Sequence, residues 1–578
     1  MPPTTPRLRQ VDNDALAEEE ARLEGPTAVS TPVRDCSKDG SPDEAEKSRA
    51  TKVVNSEVVG LQEDPPQSDA INDGEEPIIV TFNTPYDPDN PYDWSRFKKI
   101  RIAVLVLTYA LMTGLSIGLY SSQNESLAQV INASPLELRL GISVFVWAVG
   151  FAPLVQAPFS EVYGRRWFYP VTGLIYALTC LTVCSFFAQI YPRNLACLLV
   201  ARTIAGLAGA VGNTLVAGTL ADIYEARTRG WIMACFSLLI IFVIAISVWL
   251  GTIIVMNLGW QWIGWIQIII SLALTILYIP FLPETRGNTI LYHRAQKLQK
   301  ETGRLHRSLG QEEREQPWTA LVKKSLARPT YMLAHEPVVQ AFSLWLGFLW
   351  GLLFLLLESV PTVFAQYPSF KKSSQSLAFV SLFIGALVGF VATIHQEHLY
   401  RRDFQAAKAR GQRVKPESRL YHAMIGGALI PVGMFIFAWT GRPDIHWIAP
   451  CIGLAVVGAA IFPPYMTVFS YLADVYETYA SSALACQSLF RNLGVGSFVL
   501  FAEPMYRDFP RPAGSPQYMS YALASSTLAA IAALLGLVPF LLYKFGEPLR
   551  KRSKIASKIN RQLDEKYSLA EETRRDSV

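Results

Sequence analysis

The chain has 578 residues, of which 51% are hydrophobic and 17% charged, with a net charge of +5 and a mean hydropathy of +0.24. A soluble enzyme of this length carries more charge, and here the apolar residues arrive in blocks of roughly 20, enough to cross a ~30 Å hydrocarbon layer as helix. Composition therefore excludes a soluble globular protein, and so small a net charge calls for no nucleic-acid partner.

Residues 1–97 are rich in Pro, Ser, Asp and Glu, with few aromatics, which predicts a disordered tail. No basic start, apolar stretch and small-residue cleavage site opens the chain, so the first membrane helix is expected to act as the insertion signal. Apolar blocks predict spans at 100–120, 138–157, 168–189, 196–217, 231–255 and 261–282, then 338–363, 376–394, 421–440, 447–467, 485–503 and 519–543. Lipid offers the backbone no hydrogen-bond partner, so each block must be helical and the membrane protein all-α. Bases gather in alternate loops: Arg96, Lys98 and Lys99 before span 1, Arg165 and Arg166 after span 2, Arg227 and Arg229 after span 4, and Arg401 and Arg402 after span 8. That bias places both termini in the cytoplasm. The expected organisation is a tail at 1–97, a six-helix bundle at 98–283, a cytoplasmic connector at 284–336, a second six-helix bundle at 337–544 and a cytoplasmic tail at 545–578.

An internal repeat links the two halves. Leu220-Ala221-Asp222-Ile223-Tyr224-Glu225 after span 4 recurs as Leu472-Ala473-Asp474-Val475-Tyr476-Glu477 after span 10, six spans away in the same orientation. Two parallel halves of this kind imply alternating access, with a small-molecule site near the midplane between them and no second copy required.

The loop after span 2, Ala157-Pro158-Phe159-Ser160-Glu161-Val162-Tyr163-Gly164-Arg165-Arg166, resembles the signature loop of the major facilitator superfamily, with Ala157 where the pattern usually has Gly. Arg202 with Gly206 and Gly209 in span 4, Asn257-Leu258-Gly259-Trp260 before span 6, Pro283-Glu284-Thr285 after it, and Phe490-Arg491-Asn492 in span 11 extend the resemblance, which points to the fungal drug:proton antiporter branch with twelve helices. It implies a major facilitator fold of two six-helix bundles around a central cavity. Glu161, Gly164, Arg165 and Arg166 would form the gating loop, and export of a hydrophobic metabolite or drug would be the function. Span 5 departs from the branch: Val243, Ile244, Ser247, Val248 and Gly251-Thr252 stand where a repeated Gly-Pro pattern ending in Gly-Gly is expected. Proton coupling is thereby left open, as are a facilitator, an importer of nutrients or polyamines, and a non-transporting sensor.

Ionisable groups inside spans cost energy and mark function, which singles out Arg202, Glu358, Arg491 and Glu503. Arg491 is expected toward the cytoplasm, and the shared depth of Arg202, Glu358 and Glu503 predicts a pair between Arg202 and either Glu358 or Glu503. Spans 1, 4, 7 and 10 line the cavity in this superfamily, which nominates Gln123, Asn213, Gln340, Trp345 and Tyr465, with Pro463-Pro464 breaking span 10. Asn124-Glu125-Ser126 and Asn132-Ala133-Ser134 are glycan acceptor sequences in the first outer loop. No cofactor or metal motif and no catalytic constellation is present. The expected setting is the lipid bilayer of the plasma membrane, with the vacuolar membrane as the alternative.

Overall fold

The structure is a computed structural model that describes residues 78–561, apart from 84–85, 184–194, 309, 411, 413, 554 and 560. The predicted tail before residue 78, the end of span 3 and the final residues lie outside the described part. Among the described residues, eleven helices are long and apolar enough to cross a membrane, and the shorter Phe168–Val183 occupies the place of span 3. Spans 1 and 2 are Arg96–Ile131 and Pro135–Tyr163. Span 4 comprises Leu195–Gly209 and Val211–Ile223, and spans 5 and 6 are Ala226–Asn257 and Gln261–Phe281. In the second half, span 7 is Pro337–Phe364, span 8 is Lys372–Leu377 with Phe379–Ala409, and span 9 is Tyr421–Thr440. Spans 10 and 11 are Ile448–Tyr476 and Ala480–Arg507, and span 12 is Gln517–Leu535 with Val538–Arg552.

Packing repeats the duplication seen in sequence. Span 1 lies on 5, 2 on 4 and 3 on 6, and the same pairs recur as 7 on 11, 8 on 10 and 9 on 12. The two bundles meet along two equivalent seams, span 2 with span 11 and span 5 with span 8. Below, the end of the molecule carrying the signature loop and the connector is called the loop face.

Several helices outrun their apolar blocks. Span 1 continues to Ile131 because Gln123 and Leu127 are still buried, and Asn132, left-handed at φ 54°, caps it. Ser134 then caps span 2 through a reciprocal bond with Glu137, and Pro135 occupies its first turn. The expected outer loop thus shrinks to a short link: Asn124 lies within a helix, and only Asn132 is exposed in the turn.

Span 10 corrects a second expectation, because its helix runs unbroken through Pro463 and Pro464. Two prolines release the carbonyls of Ala459 and Ala460 from their helical donors. Gly389 of span 8 and Gly426 of span 9 cover those oxygens so closely that a Cβ at either would lie 2.6 Å from them. Spans 1 and 5 show the same economy: Gly114 and Gly118 of span 1 receive Val243 and Ser247, the residues that depart from the expected span 5 pattern.

The chain before span 1 is fastened to the connector. Strand β1 (Ile78–Val80) pairs in parallel with β2 (His306–Ser308), and Val80 packs on Leu291 and Ala295 of the connector helix Gly287–Thr302. Asp87, fully buried, accepts from Arg294 at 2.6 Å and from the backbone N–H of Asn83 and Asp89. Burial alone would push its carboxyl up, but these three hydrogen bonds outweigh burial and hold it below the usual carboxylate value. A depressed carboxylate stabilises the fold above the unfolded pKa of ~4, and that contribution is lost as pH falls through the folded value. Protection of the 78–94 backbone against hydrogen exchange should therefore drop at about pH 3 relative to pH 6, after correction for intrinsic rates. Asp87→Asn should give the same drop at neutral pH, and unchanged protection in both cases would contradict the fastening.

Candidate functional site

Three groups of polar residues lie between or within the bundles. At the loop face, the signature loop folds back on its own bundle. Gly164 adopts φ 96°, and a Cβ there would meet Glu284 Oε2 at 2.4 Å, so backbone and space both demand glycine. The Glu284 carboxylate accepts from the backbone N–H groups of Arg165, Arg166, Thr285 and Arg286 at 2.8–3.1 Å, tying the loop after span 2 to the chain after span 6. Arg165 crosses over Gly218 to form an ion pair with Asp222 at 2.6 Å, without the alignment of a hydrogen bond, and Arg286 reaches the same carboxylate at 3.3 Å. Glu161 is exposed and faces Arg314 and Tyr292 across a shallow cleft, and Arg166 donates to the Ile279 carbonyl.

The repeat places a second clasp in the other half. Asp474, the counterpart of Asp222, holds Arg419 at 3.0 Å just before span 9, where Arg165 stands before span 3. Arg419 also reaches Glu397 at 3.2 Å and lies 3.4 Å over the Tyr400 ring. The two clasps differ in hydration. Arg165 and Asp222 are 7% and 11% exposed, against 19% and 29% for Arg419 and Asp474. Asp222→Ala should therefore cost ~3–5 kcal/mol, since it strands a buried guanidinium. Asp474→Ala should cost roughly 1 kcal/mol, because Glu397 and the Tyr400 ring remain. Melting of the two purified variants in detergent compares them, and equal losses would show that the halves bear the charge alike.

At the opposite face the seams are closed by polar contacts between bundles. Arg139 of span 2 pairs with Glu503 of span 11, and Ser121 of span 1 donates to Glu358 of span 7 at 2.7 Å, with Arg139 in electrostatic range of Glu358. Deeper along the same seam, Ser143 donates to the Gly496 carbonyl at 2.7 Å and Trp147 Nε1 to the Leu493 carbonyl at 3.1 Å. Thr252 and Ser376 meet at 3.0 Å across the other seam.

The expected pairing of Arg202 with Glu358 or Glu503 is not formed. Arg202 is buried within its own bundle, donating to the Gly141 carbonyl and to Ser116, with its guanidinium between the faces of Tyr120 and Phe145 at 4.2 and 4.4 Å. Aromatic faces and a carbonyl can carry a desolvated guanidinium without a carboxylate, and Gly206 makes room for span 2 to come that close. Arg139 takes the place assigned to Arg202. It stands alone among Leu138, Leu140 and Gly141 at the start of an apolar block, which is the signal that would have found it.

Placement of the cavity candidates is mixed. Gln123 lines a small cavity inside the first bundle with Arg202, Tyr120 and Gln267, and does not lie between the bundles. Asn213 is exposed on span 4, and Gln340 is exposed at the start of span 7, donating to the Ala334 carbonyl. Trp345 is fully buried among its neighbours. Tyr465 joins Trp350 of span 7 and Arg491 of span 11 in one cluster, with ring centroids 5.1 Å apart and the Arg491 guanidinium 5.0 Å over Trp350 and 5.8 Å over Tyr465. Arg491 of span 11 therefore sits beside rings from two other helices of the second bundle, with its Nε unbonded.

Two duplicated bundles, clasped at one face and sealed at the other around buried charge, define a membrane carrier. The Major Facilitator Superfamily model matches residues 104–498, and the chain belongs to that family. It is 30% identical to the major facilitator superfamily multidrug transporter FLU1 of Candida albicans over 83% of this chain and 76% of that protein. It is 31% identical to the MFS-type efflux pump MFS2 of Trichophyton rubrum over 84% and 78%, and 30% identical to the MFS-type transporter oryN of Aspergillus oryzae over 83% and 90%. Among solved structures it resembles the proton:xylose symporter XylE bound to 6-bromo-6-deoxy-D-glucose (16% identity, TM-score 0.54, covering 78% of this chain and 96% of that one). The inward-open xylose transporter XylE from E. coli gives 14% identity and a TM-score of 0.52 over 75% and 95%. At such identities the likeness is one of fold.

Proposed function

We propose that this carrier exports small hydrophobic organic compounds by alternating access, coupled to protons through Glu358. The observation that carries the reading is the seal at the opposite face, where an acidic group inside the membrane, Glu358, bridges the bundles through Ser121 beside the Arg139–Glu503 pair. A proton on Glu358 removes a charge from the seam that must part for release, so protonation and opening are linked. The names of the fungal relatives, multidrug transporter and efflux pump, support export. The Trp350–Tyr465–Arg491 cluster offers flat apolar faces and one fixed cation to a substrate. In this reading the loop face is cytoplasmic, in keeping with its arginines, Glu161, Gly164, Arg165 and Arg166 form the gating loop there, and a single chain in the plasma membrane suffices.

The test is uptake of labelled compounds by vesicles containing the purified protein, with and without an imposed proton gradient. Accumulation that follows the gradient supports export by antiport. Equal equilibration at either pH setting would make the protein a facilitator, and no movement of any compound would overturn transport itself.

A further inference from the structure

The end of span 12 and the residues just after it are held at the loop face of the second bundle by two acidic residues. Glu417, before span 9, takes Arg550, which donates to its Oε2 at 3.2 Å and to the Tyr471 hydroxyl at 2.9 Å. Glu336, at the start of span 7, accepts from the Ser553 hydroxyl and from the Tyr476 hydroxyl at 3.0 Å. All six of these residues are buried, with Arg550 5%, Glu417 6%, Ser553 3% and Glu336 1% exposed and both tyrosines 0%. Beyond them, among the described residues, the apolar hold is limited to the buried Ala556 and Ile559 and the half-buried Ile555. This strap ties together the loop-face ends of spans 7, 9 and 10.

The attachment is chemically one-sided. Ser553 Oγ accepts from the Ala556 N–H and gives its own proton to Glu336, so any group that replaces that proton with negative charge turns the contact into repulsion. The three residues before it, Arg550-Lys551-Arg552, are all basic. That is the charge pattern read by serine/threonine kinases with acidic substrate grooves.

We infer that Ser553 is a phosphorylation site for a basophilic serine/threonine kinase, and that its phosphorylation releases the C-terminal strap from Glu336. In the transfer, Ser553 Oγ bonds to the γ-phosphorus of ATP, the bond from that phosphorus to the β–γ bridging oxygen breaks, ADP leaves, and the hydroxyl proton passes to the kinase's catalytic carboxylate. The strap is presented when it opens locally, since two polar clusters and a few apolar side chains hold it. Once modified, the dianion cannot return beside Glu336. In a cell this needs the loop face to be cytoplasmic, as proposed above, so the test uses purified full-length protein in detergent, which depends neither on orientation nor on transport.

Incubation with the catalytic subunit of cyclic-AMP-dependent protein kinase and ATP should place phosphate on Ser553 by tandem mass spectrometry, and amide exchange over residues 546–559 should quicken about tenfold or more. Ser553→Asp should reproduce the faster exchange, and adding Glu336→Gln should slow it again, since the like charge is gone and the amide nitrogen can donate to the aspartate. Exchange in the spans reports whether each variant is folded. Labelling that avoids Ser553, or Ser553→Asp exchange that Glu336→Gln fails to slow, would overturn the inference.

Discussion

Gly385→Val is expected to leave almost no correctly assembled protein in the membrane. A Cβ at this position would lie 1.9 Å from the Ala455 carbonyl oxygen and 2.7 Å from its carbon, both backbone atoms of span 10. Across the same contact, a Cβ at Gly458 would lie 2.1 Å from the Leu382 carbonyl oxygen of span 8. No rotamer relieves a clash with backbone, so the two helices would have to separate along their length. Overpacking in a well-packed interior costs typically ~1–3 kcal/mol and occasionally more, and valine adds two methyl groups to the overlap. Against a total stability of about 5–15 kcal/mol, the loss is large. Gly230, with nothing within 4 Å of its Cβ position, is the control, and alanine there should be neutral or stabilising by about 1 kcal/mol. Size-exclusion profiles and melting of fluorescent fusions decide the matter, and a monodisperse Gly385→Val protein with unchanged melting would refute the tight span 8–span 10 contact.

The second large effect is functional. Glu358→Gln should abolish gradient-driven accumulation, with a loss of about tenfold or more, while leaving downhill equilibration measurable. Glutamine matches the shape of the carboxylate and its oxygen still accepts from Ser121, so the seam can close; what disappears is the titrating group. Arg139→Gln should act differently, weakening the seal without removing the proton site, and so raise leak at either pH setting. If both variants lost accumulation and equilibration together, the seam would be structural and the coupling assignment to Glu358 would fail.

Twelve apolar blocks were legible because lipid forces helix on any segment of that length and leaves composition as the only variable. Helix ends were less so, since caps such as Asn132 and Ser134 depend on chain geometry beyond the hydrocarbon layer. The repeat announced Asp222 and Asp474 as equivalents, yet not what they hold, because Arg165 and Arg419 reach them from other helices. Glu284 read only as a lineage mark. Its four backbone hydrogen bonds join loops over a hundred residues apart, and no local pattern encodes that. Counting along the spans assigned Arg202 and Glu358 one depth, but depth along a span does not say which way a side chain faces, and Arg202 turns into its own bundle.

The fit of spans 1 and 5 bears on how this protein has diverged. Gly114 and Gly118 leave hollows that Val243 and Ser247 fill, so the bulk missing from one helix is carried by the other. Substitutions at these positions are then not independent. In kin where positions 243 and 247 are glycine or proline, residues larger than glycine should stand at 114 and 118, and the two columns of an alignment should covary. A chimaera that takes span 5 alone from such a relative would combine glycine with glycine and leave a void, and exchange of spans 1 and 5 together would restore the contact.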